Sequence, residues 1–276
     1  MKVDFMIIGA QKCATTTLTQ ILKSHPSVSF CKEDEPHFFS KNSNWKEHLA
    51  EYNKLFETKN NVLYGEGSTS YTFYKNDDFK VWEHLHEYNP DLKFIYLVRN
   101  PIDRIISAYM HAFSRGYTSK DIETEVLQNQ FYINVSKYFF QISPFIELFG
   151  RDKVLLIDFD DFNKNRAAQL EHVAAFLGID KSLFKNFENV KANESIGGSK
   201  VHHKWDNYFR MIKSAGKLFP HPLRQLVFDV FFRSRQFDEK PILSEKAKQK
   251  IIQDLLPDIR NLELLMNRSY EHWMKI

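Results

Sequence analysis

Lys12, Thr15, Thr16 and Thr17 follow closely on Gly9, placing one ammonium group and three hydroxyls at a single turn of the chain. Such groups bind anions. Phe5 to Ile8 is a short apolar run of the length of a buried strand, and Gly9 ends it. Leu18, Ile21 and Leu22 then repeat at helical spacing until His25-Pro26 stops the pattern. A strand, a tight turn and a helix start together aim backbone N–H groups at one spot, backed by the positive end of the helix. The chemistry expected there is phosphate binding; the plainer reading is an ordinary strand–helix turn with a solvated lysine.

A second anion-binding tract begins at Lys93. Phe94 to Val98 reads as a central parallel strand. Asn100 suits a helix cap, Pro101 the first turn and Asp103 the positive helix end. Ile102, Ile105, Ile106 and Tyr109 mark the buried stripe of that helix. Arg99 stands at the carboxyl end of the strand, where open α/β sheets bind ligands, and its planar fork matches phosphate oxygens. Ser107 lies two turns into the helix, and residues so spaced can converge on one anion. Arg104 is expected to pair with a neighbouring acid.

Against the nucleoside-triphosphate loop G-x-x-x-x-G-K-[ST], Gly9 fits the first glycine, but Ala14, Thr15 and Thr16 stand where Gly, Lys and Ser/Thr belong. The lysine comes three residues early, so the loop is related in shape and wired differently. Gln11-Lys12-Cys13-Ala14-Thr15-Thr16-Thr17-Leu18 instead resembles K-x-G-T-T/R-x-L. That is the 5′-phosphosulfate loop of sulfotransferases that use 3′-phosphoadenosine 5′-phosphosulfate (PAPS). Ala14 replaces the family glycine, which requires that Ala14 not need a positive φ. The tract from Arg99 to Tyr109 resembles the 3′-phosphate site of the same family, R-[ND]-P-x-[DE]-R-x-x-S-x-[YF].

The resemblance implies that Gln11, Lys12, Cys13, Ala14, Thr15, Thr16 and Thr17 hold the 5′ end of PAPS. Arg99 and Ser107 would hold its 3′-phosphate and thereby exclude ATP. Glu35-x-His37-Phe38-Phe39 is similar to the E-x-H-F-F segment of heparan-type sulfotransferases, in which the glutamate is the general base on the acceptor hydroxyl. Glu35 is therefore the expected base, with Glu33 and Glu66 as rivals and His37 orienting it. The solvated-loop reading of the acidic run Glu33-Asp34-Glu35 stands beside this. Relatives carry G-E-x-[ST]-P-x-Y near residues 65–71, and the heparan enzymes have a lysine where this chain has Gly67. Glu66, Ser68, Ser70 and Tyr71 become candidate acceptor contacts, or plain loop hydrogen-bonding groups. The polar tract from Val190 to Lys200 resembles the loop that closes over the nucleotide, which adds Asn193, Ser195 and Lys200 as cofactor contacts.

Trp45 to Phe56, Tyr138 to Phe149 and Arg166 to Leu177 read as helices, and Ser27 to Cys31 and Lys153 to Asp158 as strands. Asp158 could pass for the metal-holding acid of a triphosphatase; the departure at residues 9–16 argues against it. Residues 202–237 mix basic and aromatic side chains. They read as helices packed on the sheet, or as a lid or membrane-surface patch. Ser244 caps a last helix, which Pro257 is expected to kink or break. The ending to Trp273 resembles the L-x-x-x-x-G-R-x-x-x-x-W of bacterial sulfotransferases.

With 276 residues, the chain suits a single α/β domain spanning residues 1–276: a P-loop-like, three-layer fold with a parallel sheet of about five strands and helices on both sides. A net charge of +3 gives no ground for nucleic acid as a partner. Aromatics make up 15% of residues, a surplus that could line an acceptor cleft. Cys13 and Cys31 suggest free thiols in a reducing compartment. Neither a leader nor a spanning segment is legible, so a cytoplasmic site, up to the inner membrane surface, is expected. The expected reaction is metal-free sulfuryl transfer from PAPS to a carbohydrate or glycoconjugate hydroxyl, releasing adenosine 3′,5′-bisphosphate (PAP). The alternatives are a nucleotide kinase or triphosphatase, and a non-catalytic glycan-binding protein on this fold.

Overall fold

β1 (Phe5–Gly9) is buried at every residue, because it lies in the middle of the sheet. In the computed structural model five parallel strands run in the order β2-β3-β1-β4-β5. The others are β2 (Val28–Phe30), β3 (Leu63–Gly67), β4 (Lys93–Val98) and β5 (Val154–Asp158). Parallel strands covered on both faces read as continuous apolar runs, and for this reason β1 and β4 are legible in the sequence. The structure describes residues 1–73, 80–118, 120–185, 187–190, 237 and 239–275.

The flanking helices, in chain order, are α1 (Thr15–Lys23), α2 (Phe38–Lys41), α3 (Leu49–Asn53), α4 (Val81–Tyr88), α5 (Pro101–Ser114) and α6 (Ile122–Gln128). They continue with α7 (Phe131–Asn134), α8 (Tyr138–Phe149), α9 (Phe159–Lys164), α10 (Arg166–Leu177), α11 (Glu245–Met266) and α12 (Glu271–Met274). The helix expected over Trp45 to Phe56 divides into a 3₁₀ turn at Trp45–His48 and the short α3. Its aromatic rings nevertheless reach the core, with Tyr52 stacked on Phe38 at 4.3 Å.

Two expectations are corrected. α11 is one continuous helix through Pro257, so the break expected there does not occur. The stripe Ile251, Ile252, Leu255, Ile259 and Leu262 is buried on both sides of the proline, and that burial outweighs one missing backbone hydrogen bond. Arg104 has no acidic partner among the described residues. It is fully buried, donating from Nε to Ser136 Oγ (2.7 Å) and from one terminal nitrogen to Tyr132 O (2.5 Å).

Asp258 on α11 ties the end of the chain to its middle. Its carboxylate accepts from the backbone N–H groups of Phe139 (3.1 Å) and Phe140 (2.8 Å), capping α8, whose own preceding residue Lys137 provides no side-chain cap. Burial pushes this carboxyl up to about 6.

Gly65 lies at the crossing of β3 with the Phe5 and Phe30 rings. A Cβ there would stand 2.4 Å from Phe5 Cζ and 2.9 Å from Phe30 Cδ2. Gly65→Ala is expected to lower unfolding free energy by about 1–3 kcal/mol in urea titration, an overpacking loss; an unchanged midpoint would contradict this packing.

Candidate active site

The turn leaving β1 is held by two residues in the left-handed region, Lys12 (φ 70°) and Ala14 (φ 68°). Ala14 therefore occupies the conformation that the sequence reading required it to avoid. Ala14 precedes α1 and offers no side-chain cap. By contrast α5, α6, α9, α10 and α11 are capped by Asn100, Asp121, Asp158, Asn165 and Ser244. The start of α1 therefore has N–H groups free of a side-chain cap beside Lys12, as an anion site requires.

The side chains of the loop divide by exposure. Thr16 is exposed, while Thr15 and Thr17 are buried. Cys13 turns inward, its Sγ 3.8 Å from Gln11 O and 4.0 Å from Tyr138 Oη, and burial pushes the thiol up to about 12. The Cys13 side chain is thus directed into the core, away from solvent. Asp158 caps α9 through the N–H groups of Asp160 and Asp161, a structural role.

Arg99 meets the loop directly. Its guanidinium donates to Lys12 O (3.1 Å) and stacks over the Phe159 ring, 4.3 Å from the centroid. The Tyr138 hydroxyl donates to Arg99 O (2.7 Å), fixing the strand end that carries it. Ser107 is buried on α5, 7% exposed. Burial lowers the Lys12 pKa, and the guanidinium groups of Arg115 and Arg99 push it down further, against the opposing pull of Glu35. Mutual repulsion among three cations is relieved by an anion bound between them. Arg115, Phe159 and Tyr138 were missed in the sequence because they lie outside the motif spacings.

Glu35 sits across from Lys12. Its side chain remains 38% exposed, and Thr69 Oγ1 donates to its Oε2 (2.9 Å). Burial raises its pKa, opposed by the hydrogen bonds from Thr69 and by Lys12. His37 Nε2 lies 3.5 Å from Glu35 Oε2, and His37 Nδ1 lies 2.7 Å from Ser70 Oγ, which itself meets Ser40 Oγ at 2.6 Å. Burial lowers the His37 pKa, favouring a neutral ring. A proton on Nε2 then faces Glu35 while Nδ1 accepts from Ser70. Thr15, Thr16, Asp34, Glu35, Gly67 and Thr69 are among the residues lining a small pocket beside this pair.

Glu66, Ser68 and Tyr71 do not reach this pocket as acceptor contacts. All three are buried, at 0%, 0% and 1% exposure, and bonded to one another. Glu66 is thereby removed as a rival base. Gly67 does line the pocket, and a Cβ on it would lie 3.1 Å from Thr19 Oγ1. Ser70 is held within the His37 network. Asn193, Ser195, Lys200 and residues 202–236 lie outside the described residues. Among the described residues no three His, Cys, Asp or Glu side chains gather as metal ligands, and no helix is long and apolar enough to cross a membrane.

Residues 2–217 match the family profile described as a sulfotransferase domain, and the chain belongs to that family. It is 26% identical over 211 residues to heparan sulfate glucosamine 3-O-sulfotransferase 3B1 of Mus musculus, covering 70% of this chain and 52% of that protein. It is 24% identical over 166 residues to mouse carbohydrate sulfotransferase 15, covering 45% of this chain and 30% of that protein. The match thus spans between about a third and a half of these relatives' own lengths. The fold is shared with a sulfotransferase from Alicyclobacillus acidocaldarius, with a TM-score of 0.70 at 21% identity over 100% of both chains. It is also shared with mouse sulfotransferase SULT7A1 complexed with PAP, with a TM-score of 0.55 at 16% identity, covering 99% of this chain and 89% of that one.

An alanine in the left-handed region costs about 1–2 kcal/mol, against roughly 0.4–1 kcal/mol gained from the stiffer unfolded chain. Ala14→Gly is therefore expected to raise unfolding free energy by about 0.5–1 kcal/mol in urea titration. A loss of stability would show that Ala14 carries no strain.

Proposed function

We propose that this site transfers a sulfuryl group from PAPS to a hydroxyl of a carbohydrate or glycoconjugate. The observation that carries the proposal is the hydrogen bond from Arg99 to the Lys12 carbonyl, which joins two anion-binding elements into one site with Glu35 facing the lysine. The N–H groups at the start of α1, with the exposed hydroxyl of Thr16, hold the 5′-phosphate. Arg99 and Ser107 hold the 3′-phosphate. Lys12 sits at the oxygen bridging phosphorus and sulfur. The acceptor oxygen attacks sulfur as that S–O bond breaks, its proton passes to Glu35, and the negative charge left on the 5′-phosphate of PAP is met by Lys12. Preorganised cations of this kind lower the barrier at the atom where charge develops. His37 keeps Glu35 oriented. The names of the relatives support the acceptor class, and no step in this reading draws on a metal. If Asn193, Ser195 and Lys200 close over the nucleotide, they do so from outside the described residues.

Three outcomes test the reading. Lys12→Ala should cut kcat by roughly 10²- to 10³-fold, as for loss of a charge-stabilising donor. Sulfate-35 transfer from PAPS to a panel of glucosamine-, uronate- and galactose-bearing oligosaccharides measures it; turnover within a few-fold of the parent defeats the assignment. Arg99→Ala should weaken PAP and leave adenosine 5′-phosphosulfate nearly untouched in calorimetry; equal losses argue against a 3′-phosphate contact. In the parent enzyme kcat should fall as pH drops through the raised pKa of Glu35, because the protonated carboxyl cannot accept a proton. Glu35→Gln should abolish that limb together with turnover, and an unchanged limb places the base elsewhere.

A further inference from the structure

We infer that Glu66 is a positioning residue for the acceptor base, acting through Ser68 and Tyr71 on the backbone of His37 and Phe39. The inference rests on the reading of Glu35 as that base. Glu66 is wholly buried, makes no ion pair among the described residues and touches neither the pocket nor the phosphate loop. A carboxylate in such a place is costly unless hydrogen-bonded. Its partners are three hydroxyls: Tyr52 donates to Oε2, while Ser68 Oγ (2.5 Å) and Tyr71 Oη (2.8 Å) donate to Oε1.

A hydroxyl has one proton. Ser68 and Tyr71 both spend theirs on Oε1, so their lone pairs face away from it. Those lone pairs receive backbone N–H groups, His37 N at 2.9 Å from Ser68 Oγ and Phe39 N at 3.3 Å from Tyr71 Oη. One carboxylate oxygen therefore sets the direction of two relays that end on the segment carrying the base. Burial raises the pKa of Glu66, yet a proton on Oε2, facing Tyr52, leaves both Oε1 bonds in place.

The segment needs such holding. His37 has φ 54°, a left-handed conformation uncommon for a residue with a side chain, and α2 starts on it without a side-chain cap. The same conformation brings its ring to Ser70 and to Glu35. Glu66 is in turn fixed by strand register, since Met6 pairs with Glu66 and Ile7 with Gly67. The acceptor base and the phosphate loop are thus referred to the same pair of strands.

The test uses Glu66→Ala, Ser68→Ala and Glu35→Gln, with the panel oligosaccharide that takes up most sulfate-35 and with PAP binding by calorimetry. Glu66→Ala removes the oxygen that orients both hydroxyls, and Ser68→Ala breaks one relay. Both variants should lose kcat roughly 10- to 100-fold, as expected for a misplaced catalytic group, and keep PAP affinity within about twofold. Adding Ser68→Ala to Glu35→Gln should cost nothing further, because Ser68 acts through Glu35. Should Glu66→Ala fail to fold, Ser68→Ala and the double variant decide. Parent turnover in Ser68→Ala beside an inactive Glu35→Gln overturns this inference alone. Additive losses, or PAP affinity falling in step with kcat, overturn it too, since they assign the network to general stability. Full turnover in Glu35→Gln overturns the base assignment first and this inference with it.

Discussion

The parallel pairing of β1 with β3 on one side and β4 on the other is the constraint from which the site follows. β1 delivers the loop with Lys12, β4 delivers Arg99, and β3 delivers the buried carboxylate that anchors the segment of Glu35 and His37. Three neighbouring carboxyl ends therefore bring together the Lys12 loop, a second cation and the segment of Glu35 and His37. Strand register sets their relative heights.

Electrostatically the site is lopsided. Lys12 is crowded by Arg99 and Arg115 and has its pKa lowered by burial and by both guanidiniums. Glu35, partly open to water, has a carboxyl pKa raised by the same partial burial. Each group is moved toward the state that is less charged, and each is opposed by the other. Such a pair gains from a ligand that brings negative charge to the lysine side and a neutral hydroxyl to the carboxylate side. The Thr69 hydrogen bond keeps Glu35 an acceptor, and the neutral His37 ring offers it a donor without adding a second cation.

Much of this could be read from the chain itself. The continuous apolar runs at Phe5 to Ile8 and Phe94 to Val98 announce central parallel strands, and Lys12 and Arg99 stand at fixed offsets from them. What could not be read depends on residues brought in from elsewhere. The left-handed backbone of Ala14 is imposed by the turn and not by its side chain. Glu66 stands in a run of Gly, Ser and Thr that reads as a loop; only the approach of Tyr52 and Tyr71 makes it a core group. Arg104 sits in a motif rich in charges, yet its neighbours are a serine and a carbonyl from past residue 130. Arg115 follows the end of α5 with no spacing rule to link it to Lys12.

Asp258 lies beyond the residues that match the family profile, yet it caps α8, the helix that begins with Tyr138. The hydroxyl of Tyr138 in turn secures Arg99. A carboxylate on α11 thereby braces an arginine at the end of β4 through a single intervening helix. During synthesis that brace leaves the ribosome long after the phosphate turn, so a nascent chain holds the turn well before the arginine beside it is locked. The second cation of the site is thus steadied later than the loop it meets.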